Sequence, residues 1–256
     1  MKKLFLLATT IVAAVCLSGC VIFHSVTEIN KDGSGVAELT MSMSPSVQEA
    51  IKELQALDTA QSQEMDFPMM SDLDKSEIEK AAKGHGVKVK KFEKATADGR
   101  ETMNIVLEFD DLKGFSYVMS HVMGEGEGGQ GMGIFDAGDG NYVLKSAEYD
   151  FPDAEEKEED ETDAETSTED MANMDPAQMQ KQMEIMGKLM GAMAELDVSM
   201  KITVPGDIVK SNAPETDGRT SIWTVNSSNM MAMDQNNMEP EIVFSGKGLK
   251  IKPIKE

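Results

Sequence analysis

VIFHSVTEINKDGSGVAELTMSM, residues 21–43, is the stretch whose reading decides the fold. Val26, Ile29, Val36, Leu39, Met41 and Met43 alternate in part with polar residues, on either side of Lys31-Asp32-Gly33-Ser34-Gly35. Alternation with a period of two places apolar side chains on one face of a strand, and Asp-Gly is a strong signal for a hairpin turn. The stretch therefore predicts a β-hairpin. The same pattern recurs downstream. Val87 to Phe92 and Thr102 to Phe109 flank Asp98-Gly99, with Met103, Ile105, Leu107 and Phe109 on one face of the second strand. Gly138-Asp139-Gly140-Asn141 is a third turn, between short strands near Ile134 and from Tyr142 to Tyr149.

Helical signals separate these hairpins. A helix is expected from Ser44-Pro45-Ser46, with Ser46 and Glu49 as a capping box and Ile51, Leu54 and Leu57 on one face. Residues 58–71 read as a loop or frayed helix end. Asp74 and Glu77 cap a short helix that Gly84 and Gly86 stop, and Leu112 to Met123 is another. Gly124 to Gly133 is Gly-rich and reads as a mobile loop. Asp175-Pro176 starts a helix running to about Leu196. Strands follow at Val198 to Val204, at Thr220 to Val225 with the only tryptophan, Trp223, and near Ile242 to Phe244 and Leu249 to Ile251. Hairpins mixed with helices, without βαβ alternation, predict an α+β fold. The expected architecture is an antiparallel sheet of hairpins with several helices packed on it and an acidic disordered linker inserted. That linker, Asp153 to Asp170, holds eleven acidic residues and one lysine, too polar to contribute to a core. The expected organisation is 1–19 as a cleaved leader, 20–150 as hairpins and helices, 151–172 as the linker, and 173–256 completing the same domain.

The leader has its own chemistry. Lys2 and Lys3 precede an apolar run from Leu4 to Val15, and the small residues Ser18 and Gly19 precede Cys20. That is the pattern of a secretory signal, and the run falls short of the roughly 20 residues of a membrane span. Leu17-Ser18-Gly19-Cys20 resembles the lipobox of bacterial lipoproteins at every position. The resemblance implies cleavage before Cys20, a diacylglyceryl group on its thiol, and a place in the bacterial cell envelope. Residue 21 is Val rather than Asp, which in Gram-negative lipoproteins favours the periplasmic face of the outer membrane. Two more elements, Asp32-Gly33-Ser34-Gly35 and Val204-Pro205-Gly206-Asp207-Ile208-Val209-Lys210-Ser211-Asn212-Ala213, resemble a group of uncharacterised envelope lipoproteins. This second resemblance implies a lipid-anchored α+β domain and no particular activity.

Charge narrows the function classes. The net charge is −22, and loss of Lys2 and Lys3 takes it to −24, which repels nucleic acid and anionic headgroups. Cys16 leaves with the leader and Cys20 takes lipid, so the mature chain has no thiol for a disulfide. The lipid on Cys20 is then the expected membrane attachment.

Methionine is the most distinctive internal feature, with 22 residues. At about 100° per residue, Met179, Met183, Met186, Met190 and Met193 fall within roughly an 80° arc of one helix. Ile185, Leu189 and Leu196 widen this face to about 160°. Such a stripe serves as core packing, as an adaptable surface for an envelope protein partner, or as a source of thioether ligands. Met230, Met231 and Met233 add a second cluster, and thioethers select Cu(I), so soft-metal handling is the alternative function. Gly187 and Gly191 in the helix suggest close helix packing. His24, His85 and His121 lack zinc spacing and read as surface or satisfied histidines. Asp136 to Asn141 lacks the spacing and downstream Glu of a calcium loop and reads as a turn. No serine sits in a nucleophile elbow, and no nucleophile, base and orienting acid are nominated by spacing. The expectation is a non-enzymatic lipid-anchored envelope protein with a protein-interaction or structural role, no cofactor and no nucleic-acid partner.

Overall fold

Residues 21–55, 73–123, 130–149, 151, 176–193, 196–229 and 239–254 are described in the computed structural model. The leader with Cys20, the acidic segment and Met230, Met231 and Met233 lie outside them. The first hairpin forms about its turn: β1 (Val21–Ile29) pairs antiparallel with β2 (Gly35–Met43), but Val26 and Val36 face solvent while Ser25, Thr27 and Ala37 take the inward positions beside Ile29 and Leu39. β3 (Val87–Ala97) and β4 (Arg100–Phe109) form the second, joined by Asp98-Gly99 with φ of 53° and 77°. Two successive positive φ values make the tight primed turn that matches strand twist, which Asp-Gly tolerates well. β5 (Gln130–Gly138) and β6 (Asn141–Glu148) form the third about Asp139-Gly140. The Gly-rich segment read as a loop is thus strand from Gln130 onward, because pairing to β6 outweighs the weak strand preference of glycine.

The strands make two sheets. The larger has the order β3-β4-β2-β1-β7-β10-β9, with β7 (Leu196–Thr203), β9 (Glu215–Asp217) and β10 (Thr220–Asn226) from the C-terminal part. The smaller has the order β5-β6-β11-β8, with β8 (Ile208–Ser211) and β11 (Ile242–Ser245). The fold is α+β. The expected antiparallel arrangement needs one correction: β7 pairs parallel with β1. Parallel neighbours require a long crossover, and residues 30–195 supply it. Leu196, expected on the helix, is instead the first residue of β7 beside Val21. Leu249 to Ile251 is not a strand; Ile254 makes an isolated bridge to Phe135.

One continuous core holds both sheets. Leu39, Met103, Ile105, Leu107, Phe109, Ile202 and Trp223 fill the inner face of the larger sheet, and Ile134, Leu144, Ile242 and Phe244 join them from the smaller. Each such side chain contributes about 1.5–3 kcal/mol of burial. α2 (Lys75–Ala82) and α3 (Leu112–Met123) add Ile78, Ala82, Leu112, Phe115 and Val118. Asp74 and Glu77 form the predicted capping box of α2. α1 (Pro45–Gln55) is capped by Ser44, whose hydroxyl accepts from Val47 N at 3.4 Å, rather than by the expected Ser46. Val47 and Ile51 of α1 form a satellite cluster with Val21 and Met43. α4 (Pro176–Met193) packs on α1.

Candidate functional site

β1 sets a direction for the molecule. Its first residue, Val21, lies at the end of the sheet closed by α1; its last, Ile29, leads into the Asn30–Ser34 turn at the other end. Nine residues at ~3.3 Å each separate the two ends by roughly 26 Å. Each end presents a distinct surface.

At the turn end lies an open cleft of about 620 Å³ between the β1–β2 turn, the start of α3 and the C-terminal segment. The turn is rigid. Ser34 donates to Asp32 Oδ1 from its backbone N at 3.1 Å and its hydroxyl at 2.7 Å. These bonds, the hydroxyl foremost, hold the Asp32 carboxyl below its ordinary pKa. Lys250 N donates to Lys31 O at 2.8 Å, which binds the C-terminal segment to the turn. Asp111 caps α3 by accepting from Gly114 N at 2.8 Å. Leu112, Ile134, Ile251 and Ile254 form an apolar floor. Asp32, Asp110, Asp111 and Glu148 face Lys113, Lys250 and Lys252 around it. An apolar floor with a rim of both charges suits an amphipathic polypeptide segment better than a polyanion.

Tyr149 marks the inner wall. Its hydroxyl donates to Met132 O at 2.6 Å, and burial, helped by the Asp111 charge, pushes its pKa up to about 12. A phenol so engaged and so weakly acidic keeps its proton at neutral pH. Lys113 Nζ stands 5.9 Å from the Tyr149 ring centroid and 5.6 Å from that of Phe151. Phe151 meets Tyr117 edge-on at 5.0 Å, and Tyr117 lies between His85, stacked at 3.7 Å, and His121 at 4.6 Å. The two histidines, scattered in sequence, thus share one tyrosine. His121 Nδ1 lies 2.9 Å from Tyr117 O, an i to i+4 relation legible in the helix; the approach of His85 depends on tertiary packing. His24 stands apart, with Nε2 3.2 Å from Asp197 Oδ2. Among the described residues no group of three or more His, Cys, Asp and Glu is placed to hold a metal ion.

At the opposite end, α4 answers the question posed by its methionines. Ile185 is fully buried, while Met183 is 64% exposed and Met190 67% exposed. Lys188 on the inner side reaches Glu53 of α1 at 2.9 Å, and this bond raises the lysine pKa. The helix therefore buries its isoleucine side and opens the methionine side at these two positions. Met179, Met186 and Met193 lie on the same helix. Close packing at Gly187 and Gly191 is not seen: a Cβ at either would meet nothing within 4 Å among the described residues. Among the described residues no helix is long and apolar enough to cross a membrane.

No protein-family model matches the chain, and no curated protein matches it. Among solved structures it is similar to the NMR structure of the folded domain of Mycobacterium tuberculosis LppM, at 10% identity and a TM-score of 0.38, covering 89% of this chain and 91% of that one. At that distance nothing about function carries over.

Proposed function

We propose that this is a lipid-anchored, non-enzymatic protein of the bacterial cell envelope, held through Cys20, that presents its cleft to a protein or peptide partner. In a Gram-negative cell its place is the periplasmic face of the outer membrane. One relationship carries the reading. Cys20 immediately precedes Val21, the first residue of β1, and the far end of β1 turns into Asp32 and Gly33 of the cleft. A lipid on Cys20 would therefore be coupled to the sheet without a spacer, with the cleft roughly 26 Å further along the strand. Two or three acyl chains suffice for stable anchoring, at about 0.8 kcal/mol per buried methylene.

Metabolic labelling with an alkyne palmitate tests the anchor. The native chain labels and sediments with membranes, and Cys20→Ala does neither; labelling that persists in Cys20→Ala removes it. A photo-crosslinker at Lys252 tests the cleft. A discrete adduct that Glu148→Lys and Asp111→Lys abolish supports the partner, and an adduct pattern indifferent to both changes rejects it.

A further inference from the structure

The open methionine side of α4 sits beside the point where the chain meets its anchor. Met193, the last residue of α4, is three residues from Leu196, and Leu196 is the register partner of Val21. Three residues span at most ~11 Å and neighbouring strands lie ~4.8 Å apart, so the end of α4 is within roughly 20 Å of Cys20. A lipid on Cys20 brings the bilayer surface to the same place. Met183 and Met190 are seven residues apart, two helical turns, and point the same way. The side opposite them is occupied, Ile185 by burial and Lys188 by Glu53.

Charge separates this surface from the rest of the molecule. α1 carries Glu49, Glu53 and Lys52; α4 carries Lys181, Lys188 and Glu184. Three acids against three bases leave the helix pair neutral in a chain of net charge −22. The whole protein is repelled by anionic headgroups, whereas this pair is not. Methionine is apolar, unbranched and adaptable, and it suits a disordered acyl boundary.

We infer that the α1–α4 pair is the membrane-facing surface of the protein, with Met183 and Met190 entering the headgroup–acyl boundary of the bilayer that holds Cys20. The contact is shallow, roughly 5–10 Å deep for an interfacial helix. It is also weak by itself, since two exposed methionines offer little apolar area. The acyl chains hold the protein, and α4 fixes its orientation. The cleft then faces away from the membrane. The inference rests on the lipid attachment proposed above.

The experiment uses the mature lipidated chain in vesicles of phosphatidylethanolamine and phosphatidylglycerol. Lipid occupies the Cys20 thiol, so single variants Met183→Cys, Met190→Cys and, at the far turn, Lys31→Cys each accept one environment-sensitive fluorophore. Circular dichroism confirms that each variant is folded. The expected result is a blue shift at positions 183 and 190 and loss of intensity to lipids carrying a shallow spin label, with neither change at position 31. Vesicle-bound protein whose labels at 183 and 190 behave like that at 31 overturns the inference and leaves the anchor standing. Protein that carries no acyl mass and does not float with vesicles overturns the anchor, and the inference with it.

Discussion

Val21 and Leu196 are register partners in the parallel pairing of β1 with β7, although most of the chain lies between them. The strand that would carry the anchor is thus completed by a strand entering late in the sequence. β1 lies inside its sheet, between β2 and β7, and β7 joins it to β10. Ile202, fully buried on β7, packs into the shared core. Ile202→Ala should cost about 2–5 kcal/mol in urea unfolding, the range for a large-to-small core change. Amide exchange should quicken in β1 as well as in β7. Exchange confined to β7 would contradict the cooperativity of the two strands.

Two glycines should respond to the same substitution with opposite sign. A Cβ at Gly35 would collide with the Glu28 carbonyl oxygen and the Phe109 ring, so Gly35→Ala requires the hairpin and core to shift. The expected loss is about 1–3 kcal/mol. A Cβ at Gly191 would meet nothing within 4 Å among the described residues, and alanine in α4 gains up to about 1 kcal/mol of helix propensity. Gly191→Ala should stabilise by thermal unfolding; a marked loss would show a packed neighbour at that glycine.

Tyr149 supplies a high-pH signature. Its folded pKa of about 12 lies above its ordinary value of 10.0, chiefly through burial. A raised folded pKa means that the related stability is fully present below pH 10 and is lost as pH rises through 12. Asp111→Asn keeps an oxygen acceptor for the Gly114 N–H and removes the charge. Ultraviolet titration should then show Tyr149 ionising lower, but still above its ordinary value, because burial persists. An unchanged midpoint would exclude the Asp111 contribution.

Lys188 and Glu53 join α4 to α1. The bond raises the lysine pKa, so its contribution is present through neutral pH and is lost as pH rises through that raised value. Both side chains are partly exposed, so global stability should change little on Glu53→Gln. Amide exchange in α4 should nevertheless rise at pH 7, and less additional opening should follow at high pH than in the native chain. Equal pH dependence in both proteins would assign the attachment of α4 to apolar contact alone.

The local elements are legible in the chain. Period-two alternation and Asp-Gly turns specified three hairpins, and Asp74 with Glu77 specified a capped helix, because each depends on neighbours within a few residues. The resemblance of Leu17-Ser18-Gly19-Cys20 to a lipobox is likewise local, since four consecutive residues carry it. Other features depend on contacts between distant residues. The parallel β1–β7 pairing, the division into two sheets and the meeting of His85 with His121 across Tyr117 arise between distant residues and leave no local periodicity. The same holds for the methionine stripe. Its arc was plain from helical geometry, but whether it faced core or solvent depended on which side of α4 met α1. Lys188 meets α1 through Glu53 and Ile185 is buried, whereas Met183 and Met190 stay exposed.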